Sequence, residues 1–310
     1  MNASVAYHQS QAFRGLVALI LAYLLWSFGV VLFKLLDGVP AIDIVAHRVV
    51  WSFLFLLPVM IFASRWHSCY VVLTTPKLLG GLIITSLLIS INWLVFVWSI
   101  ETDRVVQSSL GYYINPLVSV LLGVMVLSER LRVAQIISLL LATMSVGAML
   151  LLLGVVPWIS MALAVSFALY GLLRKMIAVN HLDGLFIETA LLLPIALGWL
   201  LLRSNAPEMT GLPPVDVGLR EWMLLALGGP ATAIPLLLFT YGVRRRSLTV
   251  AGFTQYINPT LQLLLAVFVY AEAFGGSHLL VFAGIWMALA IFLFDLIWHE
   301  KERAREIEGS

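Results

Sequence analysis

The sequence predicts an all-α membrane protein of ten transmembrane helices in two inverted five-helix repeats. Three observations predict it: the composition, a succession of long apolar runs, and a motif that recurs in both halves. Apolar residues make up 62% of the 310 and charged residues 11%, with a mean hydropathy of +1.03. A water-soluble core has no room for that much apolar surface. A helix needs roughly 20 apolar residues to cross about 30 Å of hydrocarbon. The runs are continuous rather than alternating at period two, so helices are expected and barrel strands are not.

In chain order the spans are expected at 15–36, 44–63, 78–100, 105–127, 133–153, 156–173, 184–202, 222–243, 248–270 and 279–298. The first run is too long for a signal-peptide core and leads into Lys34 and Asp37 with no small-residue cleavage pattern, so it reads as a retained span. Only Gly154–Pro157 separates the fifth span from the sixth, so a helical hairpin through that point is the alternative. The one long connection, Arg203–Glu221, is rich in Pro, Gly and Asn, and residues 299–310 form a tail.

Loop charge sets the orientation. With the N-terminus inside, thirteen of the 18 Lys and Arg residues fall in inner segments: Arg14, Arg65, Lys77, Arg130, Arg132, Arg174, Lys175, the run Arg244 to Arg246, Lys301, Arg303 and Arg305. Lys34, Arg104, Arg203 and Arg220 fall outside, and Arg48 alone lies within a span. That bias predicts ten spans with both termini cytoplasmic, in a cell's inner membrane. The net charge of +2 is scattered through loops, which argues against a nucleic-acid partner. Cys69 is the only cysteine, so neither an intrachain disulfide nor a cysteine metal site is expected, and no metal or other cofactor is implied.

Tyr113-Ile114-Asn115-Pro116 in the fourth span recurs as Tyr256-Ile257-Asn258-Pro259 in the ninth, 143 residues later, and the same offset carries Glu129 onto Glu272. The repeats are therefore drawn at 15–153 and 156–298. Five spans is an odd number, so the second half enters the membrane upside down relative to the first. That arrangement is typical of secondary transporters. The expected partners are the bilayer and a small-molecule substrate.

Each repeated proline leaves the carbonyl four residues earlier without its helical donor, beside aromatic rings and an amide. The residues expected to line a substrate cavity are Trp26, Asn92, Trp93, Tyr112, Tyr113, Asn115, Tyr170, Gln255, Tyr256 and Asn258. The competing reading is a kinked helix whose polar groups bond to neighbouring helices. His47, Arg48, Glu129, Arg174, Lys175, Glu188 and Glu272 are candidates for gating or coupling. Topology sets Arg48 near the outer face and Glu188 near the inner, so they should not touch. Arg48 is expected with Asp43 or Glu272, and Glu188 with Arg174 or Lys175, as pairs made and broken in turn. The alternative is that these long side chains snorkel to the interface. Proton or ion coupling through Glu188 or His47 stays open, since no spacing selects it. The six histidines are dispersed, and there is no HExxH and no P-loop, so no enzyme and no ATP motor is expected.

Several segments together resemble a known family: His47-Arg48-Val49-Val50-Trp51-Ser52, Asn92-Trp93, Ser109 through Leu117, Ser128-Glu129-Arg130, Tyr170 through Lys175, Glu188-Thr189 and Gln255-Tyr256-Ile257. They are similar to the RarD subgroup of EamA-domain permeases, in the drug/metabolite transporter superfamily, from about Gly15 to Trp298. The resemblance implies ten helices around a central cavity and ATP-independent movement of a metabolite or drug, expected as export. Asn258 stands where that subgroup commonly has a small residue and Thr254 where it commonly has an aromatic. A membrane-embedded enzyme and a non-transporting sensor or scaffold are the alternatives.

Overall fold

The computed structural model describes residues 3–36, 38–102, 104–153, 158–205, 207–210, 212, 218–268 and 276–308. Helix α1 spans Ala3–Lys34, α2 Ala41–Ala63, α3 Trp66–Thr74, α4 Pro76–Glu101, α5 Val105–Leu127 and α6 Val133–Leu153. The second half follows with α7 Trp158–Met176, α8 His181–Asn205, α9 Leu219–Val243, α10 Leu248–Thr254, α11 Ile257–Phe268 and α12 Gly276–Glu308. Among the described residues no strand occurs, and nine helices are long and apolar enough to cross a membrane. Large apolar side chains face outward along them, Ile195, Phe294 and Met144 among those more than 60% exposed. Facing lipid, that surface costs nothing; facing water, a patch of that extent would drive association.

Three features depart from the expected spans. A short helix, α3, follows Ser64, whose left-handed φ of 51° ends α2 with backbone bonds from Ser64 and Arg65 back to Ile61 and Met60. Helices α1 and α12 extend beyond the expected spans at the two chain ends. The ninth segment, expected as one helix, is broken into α10 and α11 at Gln255-Tyr256. Pro259 cannot donate to the Gln255 carbonyl, and the amides of Tyr256 and Asn258 instead close tight three-residue bonds to Phe253 and Gln255. Pro116 carries the same motif inside α5, yet α5 stays continuous. The count of ten spans is therefore not reproduced among the described residues, where the ninth segment is two short helices.

The packing has a regular plan. α5 lies on α7 while α10 and α11 lie on α1; α4 lies on α7 while α9 lies on α1; α4 lies on α8 while α9 lies on α2. α2 packs on α8, α5 on α10 and α6 on α12. Exchanging α1, α2, α4, α5 and α6 with α7, α8, α9, α10–α11 and α12 maps this set of contacts onto itself. Within the last three pairs the helices run antiparallel. Arg65, just past the end of α2, meets Asp183 at the start of α8, and Arg203 at the end of α8 meets Asp43 at the start of α2. Small residues allow the closest approaches: a Cβ on Gly229 of α9 would stand 2.5 Å from the Trp51 backbone of α2, and one on Gly252 of α10 would stand 2.9 Å from the Pro116 carbonyl of α5.

Candidate functional site

Between the two sets of helices lies a cavity of about 100 Å³. Its wall is built one or two residues per helix turn. α1 contributes Tyr23, Trp26, Gly29 and Leu32; α4 contributes Asn92, Trp93 and Phe96; α5 contributes Gly111, Tyr112 and Asn115. Arg48 of α2, Leu163 and Phe167 of α7, Ala231 of α9, Gln255 and Asn258 complete it. The spacing of 23, 26 and 29 on α1, and of 92, 93 and 96 on α4, places each set on one helix face. The rings meet edge-on or tilted: Trp26 lies 5.5 Å from Phe167 and 5.7 Å from Tyr23, and Phe96 lies 6.0 Å from Tyr112.

The polar groups of the wall are partly engaged in holding helices together. Asn115 Nδ2 donates to the Ala164 carbonyl of α7 at 2.8 Å, and Ser27 of α1 donates to Asn258 Oδ1 at 3.2 Å. Each asparagine of the repeated motif thus ties its own half to the first helix of the other. Asn92 Nδ2 bonds the Leu163 carbonyl and Ser166 Oγ of α7, both at 3.0 Å. Arg48 Nε donates to Thr232 Oγ1 of α9 at 2.9 Å, and its guanidinium carbon stands 4.6 Å from the centre of the Trp93 ring. The buried amide oxygen of Gln255 accepts no hydrogen bond.

About seven residues further along α4 and α7, or ~10 Å at 1.5 Å per residue, a buried polar cluster stands at the other end of the bundle. Glu188 of α8 accepts from Thr85 Oγ1 at 2.6 Å and from Tyr170 Oη at 3.2 Å. Arg174 Nη1 stands 3.5 Å from Glu188 Oε1, with both side chains at most 1% exposed. The Arg174 Nε and Nη1 groups donate no hydrogen bond, so that contact is electrostatic only, while Nη2 reaches the His181 carbonyl at 3.2 Å. Arg174 fits there because residue 184 is glycine: a Cβ at that position would stand 1.9 Å from Arg174 Nη1.

Trp26, Asn92, Trp93, Tyr112, Asn115, Gln255 and Asn258 stand in the cavity wall. Tyr113, Tyr170 and Tyr256, expected beside them, do not. The Tyr256 hydroxyl donates to the Tyr113 carbonyl at 3.3 Å, joining the repeated motifs behind the wall, and Tyr170 belongs to the Glu188 cluster. The rings of Tyr113 and Tyr256 pack on Phe282 and Phe253 instead.

The charged candidates divide likewise. Arg48 lines the cavity, and Asp43, expected near it, is held by Arg203 Nε at 3.1 Å and Trp199 Nε1 at 2.7 Å. Of the two basic partners expected for Glu188, Arg174 is adjacent, whereas Lys175 Nζ turns to the carbonyls of Val243 and Arg246 at the end of α9. His47 packs edge-on to Trp222 at 5.2 Å. Glu129 accepts from the amides of Leu248 and Thr249 and from Thr249 Oγ1 at 2.6–2.9 Å, and with Ser247, which accepts from Val250, it satisfies the first amides of α10. Glu272 lies outside the described residues.

Sequence reasoning missed Tyr23, Phe96, Leu163 and Phe167 in the wall, because apolar helical positions look alike whichever way they face. It also missed Thr85, Thr232 and the Arg65–Asp183 pair, whose two bonds measure 2.5 and 2.6 Å. A signal for these was present. Asp43 and Asp183 are 140 residues apart, as are Arg48 and Glu188, and Thr85 and Thr232 are 147 apart. The Thr232–Arg48 and Thr85–Glu188 bonds accordingly exchange when the two sets of helices do.

Comparison with known proteins adds a second line of evidence. The model of the EamA-like transporter family matches residues 13–153. An uncharacterized transporter of Vibrio cholerae is 43% identical over 302 residues, covering 96% of this chain and 98% of that one. Protein RarD of Escherichia coli is 39% identical, covering 95% and 99%. The chloramphenicol-sensitive protein RarD of Pseudomonas aeruginosa is 28% identical over 87% of this chain and 90% of its own. A protein of known crystal structure shares the fold, with a TM-score of 0.66 at 19% identity over 92% of this chain and 96% of the other.

Proposed function

The chain belongs to the EamA-like transporter family and to its RarD branch. From that premise we propose that this multi-pass membrane transporter is a secondary exporter of a small metabolite or drug, which works by alternating access. The observation that carries the reading is the pairing of one lined cavity with one sealed polar cluster along the same helices. The cavity is lined by Arg48, which donates to Thr232, and the buried cluster forms around Glu188 and Thr85, the counterparts of that pair under exchange of the halves.

The antiparallel course of α2 against α8, α5 against α10 and α6 against α12 supports inverted repeats at 15–153 and 156–298, because equivalent helices on an in-plane two-fold axis must run in opposite directions. Opening the sealed end requires breaking the Arg174, Tyr170 and Thr85 contacts to Glu188, while closing the cavity brings the Arg48 end together. Asn115 and Asn258, each tying its half to the first helix of the other, and Glu129, capping α10 from α5, are the contacts such a rocking motion would work against or pivot on. The loop-charge bias supports an inner-membrane location with both termini cytoplasmic, which faces the cavity outward and the sealed cluster inward. Proton or ion coupling would fall to Glu188 or His47.

The test is a mass-spectrometric comparison of growth medium from cells with and without the protein. At least one compound should accumulate outside only when the protein is made. Identical media across growth conditions would remove the exporter reading. The competing reading, a membrane-embedded enzyme, requires instead a converted compound inside the cells, and no group of three His, Cys, Asp or Glu side chains converges among the described residues.

A further inference from the structure

A second cavity, of about 340 Å³, lies at the same end of the bundle as the Glu188 cluster, where α5 leads into α6 and α9 into α10. Arg130, Arg132, Arg245 and Arg246 line it, and Lys175 and Arg244 stand beside them. The carboxylates at this wall are engaged. Glu129 accepts from the start of α10, and Asp295 of α12 accepts from Arg132 Nε at 2.8 Å and from Gln135 Nε2 at 3.1 Å. Two arginines are placed differently. Arg130 is exposed, and no carboxylate pairs with it among the described residues. Arg245 donates to Gln11 Oε1 at 2.8 Å and to the Tyr241 carbonyl at 3.2 Å, and its guanidinium carbon lies 3.4 Å from the centre of the Tyr241 ring, all neutral contacts. Even with the whole of 300–308 counted in, four Glu against one Lys and two Arg, basic side chains at this cavity outnumber acidic ones. The same helices turn apolar side chains outward right beside the wall. Val133, Ile136 and Ile137 of α6 are 74%, 43% and 50% exposed, and Phe294 and Ile297 of α12 are 68% and 52% exposed; they alternate in sequence with Arg132, Gln135, Leu296 and His299 of the wall.

We propose that this cavity binds the phosphate headgroup of an anionic phospholipid, with Arg130 and Arg245 holding the phosphate and the acyl chains lying along α6 and α12. The loop-charge bias turns this end to the cytoplasmic leaflet. A guanidinium keeps its charge at any working pH, and its fork matches phosphate oxygens two at a time. The apolar rim favours the lipid over a free phosphate, because a soluble anion gains nothing from α6 and α12. Arg130 follows α5 and Arg245 follows α9, so one headgroup between them ties the two sets of helices together at the end where Glu188 is sealed.

The test mixes the purified full-length protein, in a neutral detergent, with equal amounts of dioleoylphosphatidylglycerol and dioleoylphosphatidylcholine and counts the lipid retained by native mass spectrometry. Each basic side chain beside an anionic headgroup contributes roughly fivefold in affinity, so the two arginines should favour phosphatidylglycerol roughly 25-fold. Arg130→Gln should reduce that preference to roughly fivefold, and adding Arg245→Gln should bring it near parity. Lys77→Gln removes an exposed charge at the same end but outside the cavity and should leave the preference unchanged. Arg130→Glu changes only an exposed side chain and should abolish the preference by itself, so the inference remains testable if the Arg245 variant does not fold. A final arm adds glycerol 1-phosphate, which carries the phosphate without the chains, at the same concentration as the lipid; the lipid should stay bound. Equal retention of the two lipids, a loss in Lys77→Gln as large as in Arg130→Gln, or displacement of the lipid by glycerol 1-phosphate overturns the proposal.

Discussion

Replacing Glu188 by Ala should destabilise the protein by about 3–5 kcal/mol, the range for removing one partner of a buried ion pair. The geometry sets that size. Two unit charges 3.5 Å apart at an effective dielectric of about 20 attract by roughly 5 kcal/mol, and the hydrogen bonds from Thr85 and Tyr170 vanish with the carboxylate. Arg174 would then stand as a buried cation whose Nε and Nη1 already donate to nothing. Adding Arg174→Met to Glu188→Gln removes both charges and keeps an amide for Thr85 and Tyr170, so this double variant should recover all but about 1–2 kcal/mol of the loss. Gly184→Ala perturbs the same pair from outside, since its Cβ must push the guanidinium away by more than an ångström to reach ordinary contact distance. The assay is reversible unfolding in mixed micelles followed by tryptophan fluorescence, arranged as a double-mutant cycle. A coupling energy below about 0.5 kcal/mol would show the two residues to be independent and would refute the seal.

Other consequences can be measured separately. Glu129→Ala removes three hydrogen bonds at the start of α10 and should cost about 2–3 kcal/mol, with Glu129→Gln recovering part of it; no loss in the same unfolding assay would show that α10 does not depend on α5 for its cap. Burial pushes the Cys69 thiol up to about 11, so the reactive thiolate forms only well above neutral pH. At pH 7.5 its maleimide labelling should run roughly 300-fold slower than that of an ordinary thiol and rise about tenfold per pH unit to pH 10, and fast labelling at pH 7.5 would contradict its burial. Asn115→Ala and Asn258→Ala each break one tie between the halves. Both should lower flux several-fold while the protein stays folded, and unchanged flux in both would show the ties to be incidental.

The helical membrane architecture was legible because lipid imposes one rule, about twenty apolar residues with their backbone groups bonded internally, and nine helices among the described residues obey it. The repeated Tyr-Ile-Asn-Pro motif was visible as letters, but its use was not. Asn115 faces the cavity and spends its amide on α7, while the tyrosine hydroxyl of the second motif reaches the backbone of the first. Periodicity cannot distinguish a polar group that meets a ligand from one that meets a neighbouring helix. Topology did separate Arg48 from Glu188 and brought Arg174 to Glu188. It missed that Asp43 is taken by Trp199 and Arg203, because that contact depends on which helices are neighbours and not on which end of a span a residue occupies. The break at Gln255 was hidden for a different reason: the same proline leaves α5 intact.

Ala231 stands exposed in the cavity wall midway along α9, and Ala231→Trp fills the space between Arg48 and the aromatic rings without touching the Glu188 cluster. Liposomes carrying either the wild-type protein or this variant, loaded with a small-molecule cell extract, allow released compounds to be identified by mass spectrometry. The wild type should release a defined compound that protein-free liposomes retain, and the folded variant should release it at least tenfold more slowly. Equal release from the two proteins would contradict the assignment of this cavity as the transport path.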